Sequence, residues 1–203
     1  MAIMLYHCKG SRSLRPLWLF EEMGLDYTLV TLAFPPRIND QHYLTVNPLG
    51  TVPCLLDGTT MMTESVAICE YVANRYGGGN MTIDNNHSDY GNYVNWLHHS
   101  DATLTFPLTV MFRYKLLEPE ERRSRQVAED YKKFFAGRLR LLDSALQQRQ
   151  YLVADKFTIA DIGVGYALYF AERLRCTDCF SAAIKDYLLR LKERPAFKRA
   201  CSL

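Results

Sequence analysis

Hydrophobic periodicity changes once along this 203-residue chain, and that change constrains the fold more tightly than any composition figure. Up to the glycine run Gly77, Gly78 and Gly79, short stretches that alternate with period two are interleaved with stretches of helical period. Beyond it no stretch alternates, and helical spacing runs to the C-terminus. The chain therefore reads as a mixed α/β part, residues 1–78, followed by an all-helical part, residues 86–203.

Inside the first part, Ile3 to Tyr6 form a short apolar strand. Leu14 to Met23 carry apolar residues at helical spacing (Leu14, Leu17, Trp18), and Gly24 stops the helix. Asp26 to Phe34 alternate like a second strand, which Pro35 and Pro36 end. A helix between two strands makes them parallel neighbours. A short helix is expected over Asp40 to Leu44, then a strand, a tight turn at Asp57-Gly58, another strand, and a helix from Ser65 to Tyr76. This order, β-α-β then β-β-α, is the small mixed four-stranded sheet of the thioredoxin-like arrangement. In the helical part Tyr90, Tyr93, Val94 and Leu97 share one face, and Thr158 with Asp161 reads as a capping box with Asp in place of Glu, a structural role.

Composition excludes several classes of function. At 48% hydrophobic the chain can bury a real core, and a net charge of +2 with acids and bases interspersed gives no case for nucleic acid or an anionic membrane. No apolar run approaches bilayer length, and the start lacks the features of a secretory signal, so a cytoplasmic location is expected. The six cysteines are scattered through a chain too large to need staples and read as reduced thiols. Cys176 and Cys179 form a lone C-x-x-C without a second pair, so no metal is expected.

Three stretches could carry chemistry. The first is "CKGSRSLRP", Cys8 to Pro16, at the turn from strand to helix, where a helix N-terminus favours an anion. Cys8 to Ser11 superficially looks like the one-thiol C-x-x-S of a redox protein. Pro16, tolerated only in a helix's first turn, argues otherwise: the helix begins about three residues earlier with Ser13 as N-cap. Cys8 is then left on the strand. Ser13's oxygen is expected to take the Arg15 N–H, which leaves the Ser11 hydroxyl free to donate to an anion. No histidine or carboxylate adjoins Ser11 in sequence to act as base for a serine nucleophile.

The second stretch is "NPLGTVPCLLDG", where Pro53 opens a strand. A cis Val52-Pro53 bond there would expose the Val52 N–H and C=O to an extended peptide ligand. The third is Glu64-Ser65 at the next helix start: Ser65 with its helix end suits a carboxylate, and Glu64 suits an ammonium group. Together they fit an amino-acid head group.

These pieces, in this order and followed by an all-helical part, resemble the soluble glutathione transferase family, in its serine-type, bacterial-like form. The resemblance covers essentially the whole chain: "SRSLRPLWLFEEMGLDY", "NPLGTVPCLLDG", "TESVAICEYVANRYG", "YVNWLHHSDATL" and "FTIADI". It implies that Val52 pairs with the cysteinyl part of glutathione beside a cis Pro53, and that Glu64 and Ser65 bind the γ-glutamyl amine and carboxylate. It puts Ser11 at the thiol-contacting position, with Ser13 the fallback if the register slips and Tyr6 a distant third. Gln41 and His42 are candidates for the glycyl carboxylate, and Asp101 lies where some members reach across a dimer interface toward the γ-glutamyl amine.

The implied activity is stabilisation of the glutathione thiolate for attack on a small apolar electrophile lying between the domains. Glutathione is a co-substrate here, and Arg12, Phe106, Met111, Tyr114 and Tyr169 are candidate pocket walls. A homodimer is implied. Two other readings remain: a specialised isomerase, dehalogenase, ether-cleaving enzyme or peroxidase on the same fold, or a non-catalytic binding or interaction module.

Overall fold

The computed structural model describes residues 3–203. The first elements are β1 (Ile3–His7), α1 (Leu14–Met23), β2 (Tyr27–Thr31), the short helix α2 (Pro36–Asn39), β3 (Cys54–Asp57), β4 (Thr60–Met62) and α3 (Ser65–Tyr76). They form one mixed sheet in the order β2-β1-β3-β4. β1 lies parallel to β2, with Leu5 opposite Leu29, and antiparallel to β3, with Leu5 opposite Leu55. The β3–β4 hairpin closes with Asp57 opposite Thr60. This is the thioredoxin-like sheet anticipated from the alternation.

β1 alternates strictly, with Ile3, Leu5 and His7 turned inward. The strand is therefore one residue longer than its apolar run suggests, and its last inward position holds an imidazole. α1 buries Leu17, Trp18, Leu19 and Phe20 completely and ends at Gly24. The helix expected over Asp40 to Leu44 is displaced. α2 stops before Asp40, whose carboxylate accepts the Tyr43 N–H at 3.1 Å and opens a 3-10 turn over His42–Thr45. A short acidic side chain that bonds the backbone ahead of it caps the turn.

The remaining helices are α4 (Tyr90–His98), α5 (Phe106–Phe112), α6 (Arg125–Leu146), α7 (Ile159–Arg173), α8 (Ala182–Glu193) and α9 (Pro195–Ser202). π-helical segments cover His99–Thr105 and Arg113–Leu117. The chain divides into two compact units: residues up to Thr82 together with Lys192–Leu203, and Ile83–Leu191. The C-terminal boundary thus differs from the expected 86–203, because α9 packs on α1. Trp18 meets Phe197 edge-on at 4.8 Å, Arg194 pairs with Glu22 at 2.6 Å and Arg199 with Glu21 at 2.7 Å. Periodicity identifies α9 as a helix but is blind to its partner.

In the second unit α7 is buried along most of its length. Its capping box is present: Thr158 Oγ1 accepts the Ala160 N–H at 3.2 Å, and Asp161 Oδ2 accepts the Thr158 N–H at 2.8 Å. Asp161 does more than cap, since Oδ1 also accepts the Leu152 N–H at 3.1 Å and the Tyr187 hydroxyl at 2.8 Å. Among the described residues no helix is long and apolar enough to cross a membrane.

Candidate active site

The turn between β1 and α1 is built by backbone hydrogen bonds. Ser11 N–H donates to Cys8 C=O at 3.1 Å across a turn whose third residue, Gly10, has φ of 74°, a conformation that favours glycine. Leu14 N–H then donates to Ser11 C=O at 3.0 Å and Arg15 N–H to Arg12 C=O at 3.1 Å. Ser13 occupies the N-cap position, as expected from Pro16. Its side chain makes no cap bond, however, and the expected Ser13–Arg15 contact is absent.

The reason is local. Ser13 has φ of −66° and ψ of −11°, a helical conformation, whereas a capping side chain needs an extended backbone to reach back over the first turn. The carbonyls of Ser11 and Arg12 take the N–H groups instead. Leu14 and Arg15 therefore have no N–H to spare for an anion, and Pro16 has none at all. What this helix start can offer a sulfur is its dipole and a side-chain hydroxyl.

Freed from capping, Ser13 Oγ turns inward. It accepts the Cys8 N–H at 3.2 Å, lies 2.8 Å from His7 Nδ1 and 2.7 Å from Ser11 Oγ. Ser11 Oγ also accepts the Ser13 N–H at 3.3 Å. His7 and Ser13 are buried while Ser11 is half-buried, so the three side chains form a row whose outer end is Ser11. Burial pushes the His7 imidazole down to about 4; a hydrogen bond to the Ser13 backbone partly opposes this and the Lys9 charge adds to it. Cys8 is fully buried, and burial pushes its thiol up to about 11, far from thiolate at neutral pH. Tyr6 is half-buried against Tyr43, ring centroids 5.1 Å apart.

The second stretch is a knotted loop. Buried Asn47 donates to Thr51 C=O at 2.9 Å and accepts the Leu49 N–H at 3.1 Å, and the Tyr43 hydroxyl donates to the same carbonyl at 2.7 Å. Gly50, at φ of 57°, leaves no room for a side chain: a Cβ there would lie 2.6 Å from Arg37 Cβ. This loop delivers Val52 and Pro53, joined by a cis peptide, to the start of β3. Val52 stands just ahead of the β1–β3 ladder, whose register begins with Tyr6 opposite Cys54.

The third stretch opens α3. Glu64 is exposed at the N-cap position, and Ser65 is 4% exposed in the first turn. Ser65 Oγ accepts a hydrogen bond from Arg15 Nη1 at 3.0 Å. Arg15 itself is fully buried, so a cation stands in the first turn of α1, against that helix's own dipole, and reaches across to the first turn of α3. The two helix starts are thereby bridged by one arginine side chain.

The other candidates are placed as follows. Gln41 and His42 are exposed, with Gln41 Nε2 donating to Arg37 C=O at 3.1 Å, and Arg12 is half-buried in the first turn region. Asp101, Phe106, Met111, Tyr114 and Tyr169 belong to the second unit. Asp101 is half-buried within the π-helical segment, a backbone form frequent at functional sites. Phe106 is exposed, and Tyr114 and Tyr169 are half-buried. Met111 is a correction: at 1% exposed, with the Cys176 thiol donating to its sulfur at 3.5 Å, it is core and not an open pocket wall. Cys179 donates to Cys176 C=O, the two thiols are unbridged, and no metal-holding cluster occurs among the described residues.

Sequence reading passed over His7, and took Arg15 as a cation near the thiolate without its reach to Ser65. Each left a trace: His7 is the third inward position of an alternating strand, and Arg15 is a cation at the wrong end of a helix for its charge.

Comparison with known proteins agrees with this layout. The family model for the glutathione S-transferase N-terminal domain matches residues 11–75. A glutathione S-transferase of Hypomyces subiculosus, hmp2, is 30% identical over 172 residues, 80% of this chain and 79% of that one. The chain belongs to the glutathione S-transferase family. Within the family, the GstA enzyme of Escherichia coli O157:H7 is 29% identical over 98% of this chain and 96% of its own. The solved ternary complex of BphK, a bacterial glutathione S-transferase, superposes with a TM-score of 0.84 at 26% identity, covering 98% of each chain.

Proposed function

We propose that this glutathione S-transferase ionises the glutathione thiol by a hydrogen bond from Ser11, so that the thiolate attacks the carbon of a small apolar electrophile and forms a C–S bond as the leaving group, a halide in the case of an aryl halide, departs. Ser65 and the start of α3 receive the γ-glutamyl carboxylate, Glu64 its amine, and the Val52 backbone the cysteinyl unit beside Pro53. The observation that carries this reading is the Arg15–Ser65 bond at 3.0 Å. Arg15 lies four residues after Ser11, so the bond ties the head-group serine to the turn that holds the thiol-contacting serine.

The chemistry follows from magnitudes. A free thiol with pKa about 8.5 is a few per cent thiolate near neutrality, and the thiolate is the nucleophile. Lowering that pKa by about two units takes roughly 2.7 kcal/mol. One hydroxyl bond to a charged sulfur contributes about 1.5–3 kcal/mol, and the helix dipole about 0.3–1 kcal/mol more. Ser11 therefore supplies most of the effect. Ser13, buried behind Ser11, is poorly placed to touch the sulfur itself.

Arg12, Phe106, Tyr114 and Tyr169 are proposed as electrophile contacts, with Gln41 at the glycyl carboxylate and Asp101 at the γ-glutamyl amine. A cytoplasmic homodimer is proposed with them. Titrating the thiolate absorbance of bound glutathione tests the central claim. Ser11→Ala is expected to raise the thiol pKa toward its free value and to lose turnover of a generic aryl halide. Titration identical to wild type would remove Ser11 from the mechanism.

A further inference from the structure

The row His7–Ser13–Ser11 has a direction, and hydrogen-bond valence leaves it two short-range choices; the other acceptor within reach of the Ser13 hydroxyl, Cys8 C=O, lies at 3.4 Å and is outcompeted. A serine hydroxyl carries one proton and two lone pairs. Ser13 Oγ takes the Cys8 N–H on one lone pair, leaving one lone pair and one proton for His7 Nδ1 at 2.8 Å and Ser11 Oγ at 2.7 Å.

In the inward arrangement Ser11 donates to Ser13 and Ser13 donates to Nδ1. The Ser11 proton then points into the protein and its lone pairs face out, which suits an S–H and repels a thiolate. In the outward arrangement the Nδ1–H of a neutral His7 donates to Ser13, and Ser13 donates to Ser11. Ser11 Oγ then holds two donors, the Ser13 hydroxyl and the Ser13 N–H at 3.3 Å, so its own proton has the outward direction left to it.

We propose that His7 and Ser13 are positioning residues that hold Ser11 in the outward arrangement, turning its hydroxyl into a one-way donor to the glutathione thiolate. This rests on the reading that Ser11 meets the sulfur. Polarisation along the row strengthens the terminal bond, because each hydroxyl that accepts becomes a better donor. The thiol proton leaves to solvent; hydroxyl rotors and the His7 tautomer adjust, and no member of the row changes charge.

His7 is excluded as the resting place of that proton by magnitude. Its imidazole is pushed down to about 4, well below even a bound thiol lowered by about two units from its free value of about 8.5, so transfer is uphill by more than about two orders of magnitude. The groups around His7 agree: Lys9 is cationic, Cys8 and Ser13 face it from the turn, and Thr31 stands opposite it in β2. The bond to the Ser13 backbone favours the imidazolium, and burial outweighs it.

The test is the thiolate titration of bound glutathione in single and paired variants. His7→Leu and Ser13→Ala are each expected to raise the thiol pKa by about one unit, a tenfold loss of thiolate below it, with glutathione affinity changed less than about twofold. His7→Asn, whose amide nitrogen falls near the Nδ1 position and can donate, should restore most of the shift. The double variant His7→Leu/Ser13→Ala should go no further than either single change, since the row is cut once. Wild-type titration of His7→Leu and Ser13→Ala overturns the proposal, and so does His7→Asn behaving like His7→Leu. If His7→Leu does not fold, Ser13→Ala against Ser13→Thr gives the same readout without touching the strand. A Ser11→Ala variant that titrates as wild type strikes down the underlying reading instead, whereas a shift in Ser11→Ala alone strikes down only the row.

Discussion

Buried polar side chains are used in opposite ways in the two compact units. In the second unit they close on the backbone: Asp161 gathers the Leu152 and Thr158 N–H groups and the Tyr187 hydroxyl, Ser100 donates to Leu97 C=O and Thr105 to Ser100 C=O. In the first unit His7, Ser13 and Arg15 are equally buried but lead toward Ser11 and Ser65, at the starts of two helices. A buried polar group costs stability unless it is paired. The second unit pairs such groups to fix helix ends, whereas the first pairs them so that a serine hydroxyl is directed at a ligand.

Breaking the closed cluster should have the largest effect. Asp161→Ala strands the buried donors of Leu152, Thr158 and Tyr187 and is expected to cost about 3–5 kcal/mol, read as a lower urea midpoint at unchanged slope. Next comes Ser11→Ala, expected to raise the bound thiol pKa by about two units and to lower kcat/KM roughly twenty-five-fold at neutral pH through lost thiolate. Removing the second backed serine sharpens the contrast inside the first unit: Ser65→Ala should weaken glutathione binding about tenfold while leaving the thiol pKa in place, the reverse of the pattern expected for His7→Leu.

A smaller effect follows from pH. His7 titrates near 6.5 when unfolded and at about 4 when folded, so between these values the unfolded chain binds the extra proton. Its contribution to stability is intact above pH 6.5 and is lost progressively as pH falls toward 4. Urea unfolding of wild type against His7→Leu across that window isolates it from Asp161, whose carboxyl burial pushes up to about 6 against the pull of its hydrogen bonds. Smallest of all is Cys8→Ala, expected to leave the thiol titration unchanged. A shifted titration there would mean that Cys8 shapes the row through its own side chain.

The legible parts of this protein are those written in neighbouring residues. Pro16 located the start of α1 and Gly24 its end, alternation located the strands, and Thr158 with Asp161 announced the cap of α7. The orientation of Ser13 was misread because a serine at an N-cap position normally bonds the first turn, and its helical φ and ψ follow from the Cys8–Ser11 turn ahead of it. Met111 looked like a pocket wall because aromatic and sulfur side chains suit one; its burial against Cys176 comes from packing between distant segments.

Sequence by itself determined the family layout: a four-stranded mixed sheet, a helical remainder, and serines at the starts of α1 and α3. Those features rest on periodicity, turn chemistry and proline, all of which act over a few residues. Tertiary structure alone decided that Arg15 reaches Ser65, fifty positions away, that α9 returns to α1, and that an inward strand position places His7 behind Ser13. The direction of a buried hydrogen bond depends on every donor and acceptor brought to one point in space, and no spacing along the chain encodes that.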